Sequence, residues 1–416
     1  MAKFSVERFP AGFFDVTQDI SRTLPVEIIE RWAKGAQSPD SARRLLDPNR
    51  FEGIVVSSDS SGLTRLGGRM GLLEILAIID HPKRLLHSYG TAAGGEAVGI
   101  WAADNTEMLY PAGTRADDLV SMLLTVQDQI QKECKTQVGI AAHRGCFYRL
   151  GGGLYGADAD RVEEVSETHT EGGEVVITAE LRAELGRPEC FSLQPRTDMP
   201  SELGENLRVT AGPRRGDLEP QQTQYPIPYS DQFYADLLQF AGRPDDSKLL
   251  EQVHKTYSRQ RAVVLIERER DETDANEVAV LNELALSLAM KKIGVKALGD
   301  LGGSEIKTSG SIGIYTFEEC GQALAFAQRF REAFLRQGIA SRIGIDYGEV
   351  LVFQIRDGIE DIAGAPVNIA SKLAQDEGVF GKIYISEAAS RTAGAGSEFQ
   401  PNTFSIAGTQ ISAFVD

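Results

Sequence analysis

Asp59 closes an apolar run, Ile54-Val55-Val56-Ser57-Ser58, and is followed by Ser60-Ser61-Gly62-Leu63-Thr64. A carboxylate at a strand end, with a glycine-containing turn leading into a helix, suits a metal ion and a phosphate, because the first N–H groups of the helix are free to bind anion oxygens. Read alone, Asp59 is equally a helix cap. Asp104 lies in Ala102-Ala103-Asp104-Asn105-Thr106, at the tip of a predicted hairpin, 45 residues after Asp59. Hairpin tips favour Asp-Asn for turn reasons alone. Two carboxylates from adjacent strand ends, however, hold two divalent cations roughly 4 Å apart, the arrangement that phosphoryl transfer uses.

A second polar set lies far downstream. Lys307 stands in Glu305-Ile306-Lys307-Thr308-Ser309-Gly310. Asp361 opens Asp361-Ile362-Ala363-Gly364-Ala365-Pro366-Val367-Asn368-Ile369-Ala370-Ser371-Lys372-Leu373. Asn368 and Lys372 are i and i+4, so they share a helix face, which on its own is as readily a solvated face as a site. Asp361 on its own reads as a loop acid.

The elements that must position these residues occur twice. Ile54-Val55-Val56 is matched by Val263-Val264-Leu265-Ile266-Glu267. Gly156 and Gly364 each precede a Gly-initiated strand by the same 17 residues, reaching Gly173-Glu174-Val175 and Gly381-Lys382-Ile383. Such internal repetition sets the reading of the whole fold. In each copy a strand is followed by a helix (residues 71–88 in the first), a strand-turn-strand (97–110 and 305–317), an amphipathic helix and a further strand. Ala323, Phe326, Ala327, Phe330, Ala333 and Phe334 show the 3/4 spacing of a core-facing helix, as do Leu119, Leu123, Val126 and Ile130. The order predicts an α+β fold, a βαββαβ sandwich of ferredoxin type in two tandem copies. The expected organisation is a lead-in over 1–48, a first domain over 49–195, a linker and one helix (231–257) within 196–258, and a second domain over 259–416.

Val55 to Thr64 resembles the first metal motif of class III nucleotidyl cyclases, the adenylate and guanylate cyclase catalytic domain. The resemblance implies that Asp59 and Asp104 hold two Mg²⁺ or Mn²⁺ ions, with Ser61, Gly62, Leu63 and Thr64 at the triphosphate. Placing Glu96 in the second metal slot would shorten the interval to 37 residues and is set aside. In the second copy the metal slots read Glu267 and Ser311, and a serine does not hold a divalent cation. That copy instead resembles the family's base-binding half. Lys307 then donates to an adenine ring nitrogen, Asp361 accepts from the amino group, Asn368 orients the ribose, and Lys372 occupies the place of the transition-state arginine. This donor and acceptor pair selects adenine over guanine. In the first copy the same four slots are Ile100, Gly153, Asp160 and Glu164. Family domains pair head to tail, so the resemblance implies that the two copies pair within one chain and make one composite site. Lys372 for arginine, and Ala407 where the family usually has lysine, leave open a second function: a nucleotide-binding sensor or scaffold without catalysis.

The net charge of −17 over 416 residues excludes nucleic acid and anionic membrane surfaces as expected partners. Four cysteines without CxxC pairing argue against zinc and for a reducing compartment. No apolar signal core or spanning run is evident, and the expected location is the cytoplasm. The expected ligand is ATP, converted to 3′,5′-cyclic AMP and pyrophosphate, with room for a regulatory protein partner.

Overall fold

The computed structural model describes residues 24–61, 72–99, 101, 105–221, 224–227, 229–243, 246–269, 277–354, 360–375, 378–394, 399–406 and 409–416. Gly62, Leu63, Thr64, Ile100, Asp104, Ala407 and residues 1–23 of the expected lead-in lie outside them.

In chain order the first half comprises α1 (Val26–Lys34), α2 (Pro39–Leu46), β1 (Arg50–Ser60), α3 (Leu72–Ala92), β2 (Glu96–Ala97), β3 (Thr106–Pro111), α4 (Ala116–Glu133), β4 (Val138–Leu150), β5 (Gly153–Tyr155), α5 (Ala157–His169), β6 (Val175–Thr178), α6 (Ala179–Ala183), β7 (Ser192–Pro195) and β8 (Asn206–Ala211). The second comprises α7 (Asp231–Gly242), α8 (Ser247–Tyr257), β9 (Ser258–Arg268), α9 (Glu277–Leu298), β10 (Ser304–Ser309), β11 (Ile312–Phe317), α10 (Cys320–Leu335), β12 (Ser341–Gln354), β13 (Glu360–Ala363), α11 (Ala365–Gln375), β14 (Ile383–Ser386), α12 (Glu387–Ala393), β15 (Gln400–Ile406) and β16 (Thr409–Val415).

Among the described residues the strands form two eight-stranded sheets of the same order. One runs β2-β3-β1-β4-β6-β8-β7 with β5 on β4; the other runs β10-β11-β9-β12-β14-β16-β15 with β13 on β12. The expected α+β fold in two tandem copies is thus observed. Alternation along β1 sends Ile54 and Val56 to the face covered by α3 and α4, and Val55 to the opposite face under α5. β9 repeats the pattern, with Val264 and Ile266 under α9 and α10, and Val263 and Leu265 under α11.

Two expectations change. The helix expected over 231–257 is two helices, α7 and α8, with Gly242 ending the first and Pro244 in the sequence between them. Asp246 starts the second by accepting from the Lys248 and Leu249 amides, both at 3.2 Å. β8 belongs to the first sheet although its residues fall in the stretch read as linker. A six-residue strand beside Pro-, Gly- and Arg-rich sequence gives too short an apolar run to stand out.

The two halves pack on each other with pseudo-twofold exchange. α1 and α2 precede the first sheet but bury Ile29, Trp32, Leu45 and Leu46 against Leu281, Leu284 and Leu288 of α9, together with Tyr148 and Leu150 of β4. α7 and α8 precede the second sheet but bury Phe233, Leu237 and Val253 in the first core with Leu73 and Leu76 of α3, together with Leu351 and Phe353 of β12.

Candidate functional site

Strand register places the sequence-predicted residues. Asp59 is the penultimate residue of β1 and pairs with Gly139 of β4. Ser61 follows, its amide donating to Gln137 O at 2.9 Å. The β1–β3 seam beside them is held by a hydroxyl pair, Ser58 to Thr106 at 2.6 Å, and Thr106 lies two residues after Asp104 in sequence. Asn105 donates to Glu167 of α5.

The second sheet has the same seam with different chemistry. Val56 and Val264 are equivalent, since each lies opposite the β4 or β12 residue that pairs with Ile177 or Ile385. Glu267 is therefore the counterpart of Asp59, and it pairs with Arg342 where Asp59 pairs with Gly139. The Arg342 guanidinium binds the Glu267 carboxylate through Nε at 2.7 Å and Nη2 at 2.5 Å and stacks on Phe380 at 4.9 Å. The next residue, Arg268, is fully buried and pairs with Glu283 at 2.6 Å, and its amide donates to Ser311 O at 2.9 Å. At this strand end an arginine supplies the positive charge that a cation would bring.

Lys307 and Asp361 are brought together. Lys307 is half-buried on β10, just past a bulge between Glu305 and Lys307. Asp361 is 7 % exposed on β13, opposite Phe353. Burial pushes its carboxyl pKa up; the Lys307 charge and a 2.8 Å hydrogen bond from the Ile362 amide pull it down. Gly364, at φ 154°, turns the chain from β13 into α11, and a Cβ there would approach Glu349 O at 3.1 Å. α11 carries Asn368, exposed, and Lys372, half-buried, on successive turns. It lies close on β12: a Cβ on Gly344 would stand 2.0 Å from Ala370 O.

Asp361 lies beside the packing that the two halves exchange. Phe353, the partner of Asp361, sits in the core cluster of α3, the helix that follows Asp59 and its loop. Phe353 stacks on Phe233 at 4.4 Å and meets Tyr229 edge-on at 5.4 Å. Sequence reasoning missed Tyr229, Arg268 and Arg342. The aromatic run Tyr225, Tyr229, Phe233, Tyr234 in the stretch read as linker and helix was the available signal. Among the described residues no cluster of three or more His, Cys, Asp or Glu is placed to hold a metal ion. The donor set expected for one pairs Asp59 with Asp104, and Asp104 is outside the described residues. Oxygen donors of that kind fit Mg²⁺ or Mn²⁺.

The fold so described, two tandem α+β sheets, resembles that of a class III adenylyl cyclase-like protein. No family model and no curated protein matches the chain. Among solved structures it is similar to a class III adenylyl cyclase-like ATP-binding protein from Pseudomonas aeruginosa, at 12% identity and a TM-score of 0.51 over 82% of this chain and 85% of that one. An adenylate/guanylate cyclase/hydrolase from Silicibacter pomeroyi matches at 24% identity and a TM-score of 0.32, over 38% of this chain and 96% of that one. An adenylyl cyclase from P. aeruginosa matches at 18% identity and a TM-score of 0.31, over 38% and 93%. No helix among the described residues is long and apolar enough to cross a membrane.

Proposed function

We propose that the chain binds ATP with Mg²⁺ or Mn²⁺ at one composite site between its halves and converts it to 3′,5′-cyclic AMP and pyrophosphate. The observation that carries this reading is the placement of Lys307 beside the buried Asp361 in the half whose equivalent of Asp59, Glu267, is held by Arg342. The proposed base-binding residues thus stand in the half whose strand-end carboxylate already has an internal arginine partner.

In this reading Asp361 accepts from the adenine amino group and Lys307 donates to a ring nitrogen. Asn368 orients the ribose so that its 3′-oxygen lies in line with the α-phosphate. Lys372 neutralises charge that develops on that phosphate. Asp59 and Asp104 would hold the metal ions, which lower the pKa of the 3′-hydroxyl and steady the triphosphate. The bond formed joins the 3′-oxygen to the α-phosphorus as the hydroxyl proton passes to solvent; the bond broken, from the α-phosphorus to its bridging oxygen, releases pyrophosphate.

A second reading, an ATP-binding sensor of the same fold, is favoured by Lys372, which lacks the bidentate fork of arginine. A solved structure of similar extent is of an ATP-binding protein, and both readings share that ligand. Titration of the protein with ATP and with GTP in Mn²⁺, followed by product identification, tests them. ATP preference with cyclic AMP formation supports the enzyme. ATP preference without product moves the function to the sensor. Binding of neither nucleotide refutes both.

A further inference from the structure

Lys307 stands on a strand whose alternation is broken just before it. Along a regular strand Glu305 and Lys307 would share one face. In β10 Glu305 lies opposite Tyr315 of β11, but the register then shifts, and Lys307 lies opposite Ile314. Tyr315 belongs to the core under α9 and α10; Ile314 belongs to the core under α11, with Ile306. Cross-strand partners point to the same side of a sheet, so the bulge turns Lys307 away from the face that Glu305 occupies. It also sets Thr308, opposite Gly313, on the Glu305 face, although residues three apart in a regular strand point to opposite faces.

Three side chains meet on that face. Thr308 is buried and donates from Oγ1 to Glu305 Oε1 at 3.0 Å, across the bulge. Lys291 of α9, 4 % exposed, brings its Nζ to the same oxygen at 3.5 Å. If the bulge were lost, Lys307 would turn to the face that already holds Lys291, and the two charges would repel. The first half lacks this arrangement. There Ala97 lies opposite Met108, the counterpart of Tyr315, and has no carboxylate to offer.

We infer that the Glu305–Thr308 hydrogen bond, with Lys291 as countercharge, locks the bulge that presents Lys307 to Asp361, so that Glu305 and Thr308 are positioning residues for recognition of the base. The inference rests on the base-binding role proposed above for Lys307. A site holds its geometry only where the groups behind it are themselves fixed by packing and hydrogen bonds. Opening the lock lets β10 return to regular alternation and withdraws Lys307 from Asp361. Discrimination between bases should then fall, while binding of the triphosphate, which the lock does not touch, should persist.

The readout is the ratio of ATP to GTP affinity in Mn²⁺, which follows contacts to the base because the two nucleotides share their triphosphate. Lys307→Ala should lower this ratio about 10-fold or more, the scale for one hydrogen bond from a charged group. Thr308→Val, which keeps the side-chain shape and removes the hydroxyl, should lower it about 3-fold or more. Thr308→Ser, which keeps the hydroxyl, should retain the wild-type ratio. With Lys307→Ala already present, Thr308→Val should have no further effect, since both act through one contact. A ratio unchanged in Thr308→Val, alongside a fall in Lys307→Ala, overturns the lock and leaves the base site standing. An equal fall in Thr308→Ser, or an undiminished effect of Thr308→Val in the Lys307→Ala background, marks a purely structural residue and overturns it too. Should Thr308→Val fail to fold, Thr308→Ala decides by the same ratio. A ratio unchanged in Lys307→Ala, or wild-type protein that binds neither nucleotide, refutes the base site itself and the lock with it.

Discussion

Gly139 lies opposite Asp59, and Arg342 lies opposite Glu267. That pair of differences gives distinct expectations for two superficially similar carboxylates. Asp59→Asn should abolish Mn²⁺-dependent ATP binding, since one remaining carboxylate carries too little charge to hold two divalent ions beside a triphosphate. Glu267→Gln should leave ATP binding as it is and lower the melting temperature, because it strands the Arg342 guanidinium without its countercharge. Equal loss of ATP affinity in both variants would place the site at the wrong strand end. In the proposed mechanism Lys372 is the point where catalysis and mere binding diverge. Lys372→Ala should lower cyclic AMP turnover by about 10²-fold, the scale for loss of one transition-state donor, with a smaller change in ATP affinity. Unchanged turnover would remove Lys372 from the mechanism. Lys372→Arg should raise turnover if the fork is what the site lacks.

At the scale of elements, the sequence marked the strands and helices whose apolar spacing is long and regular. β1, α4, β9 and α10 fall where residues 54–56, 119–130, 263–266 and 323–334 place them. Lys307 and Asp361 were likewise legible, because their strings are contiguous. What escaped depends on contacts between distant segments. α1 and α2 have 9 and 8 residues, too short for periodicity to separate them from irregular chain. Their equivalence to α7 and α8 appears only in what they cover, α9 and α3 respectively. Arg342 was invisible as a counterion because 75 residues separate it from Glu267.

The docking of α1 on α9 has its own test. Lys292 of α9 is 1 % exposed, and burial lowers its pKa from 10.5 to about 8, with Glu30 of α1 opposing. Between about 8 and 10.5 the unfolded chain holds this proton and the folded chain does not, so the residue makes stability rise with pH there, and the contribution is lost as pH falls through 8. Lys292→Met should remove that slope and stabilise the protein most at neutral pH. Urea denaturation at pH 7 and pH 10 reads the difference; a gain equal at both pH values would show that Lys292 is not the titrating group.

At the scale of the molecule, the pseudo-twofold exchange of helices makes each half depend on the other. The halves differ in chemistry where they agree in fold, and a tandem chain can do this because its two copies need not mutate together. One consequence is stoichiometric. Calorimetric titration with ATP and Mn²⁺ should saturate at a single nucleotide per chain; two equivalent sites would contradict the sealed strand end at Glu267.

The most direct measurement is incubation of the purified chain with ATP and Mn²⁺ and separation of the products, with Asp59→Asn and Glu267→Gln alongside. Cyclic AMP and pyrophosphate should appear in equal amounts, vanish in Asp59→Asn and persist in Glu267→Gln. Absence of cyclic AMP from the wild type, or its persistence in Asp59→Asn, would contradict a metal-dependent cyclase built from these two halves.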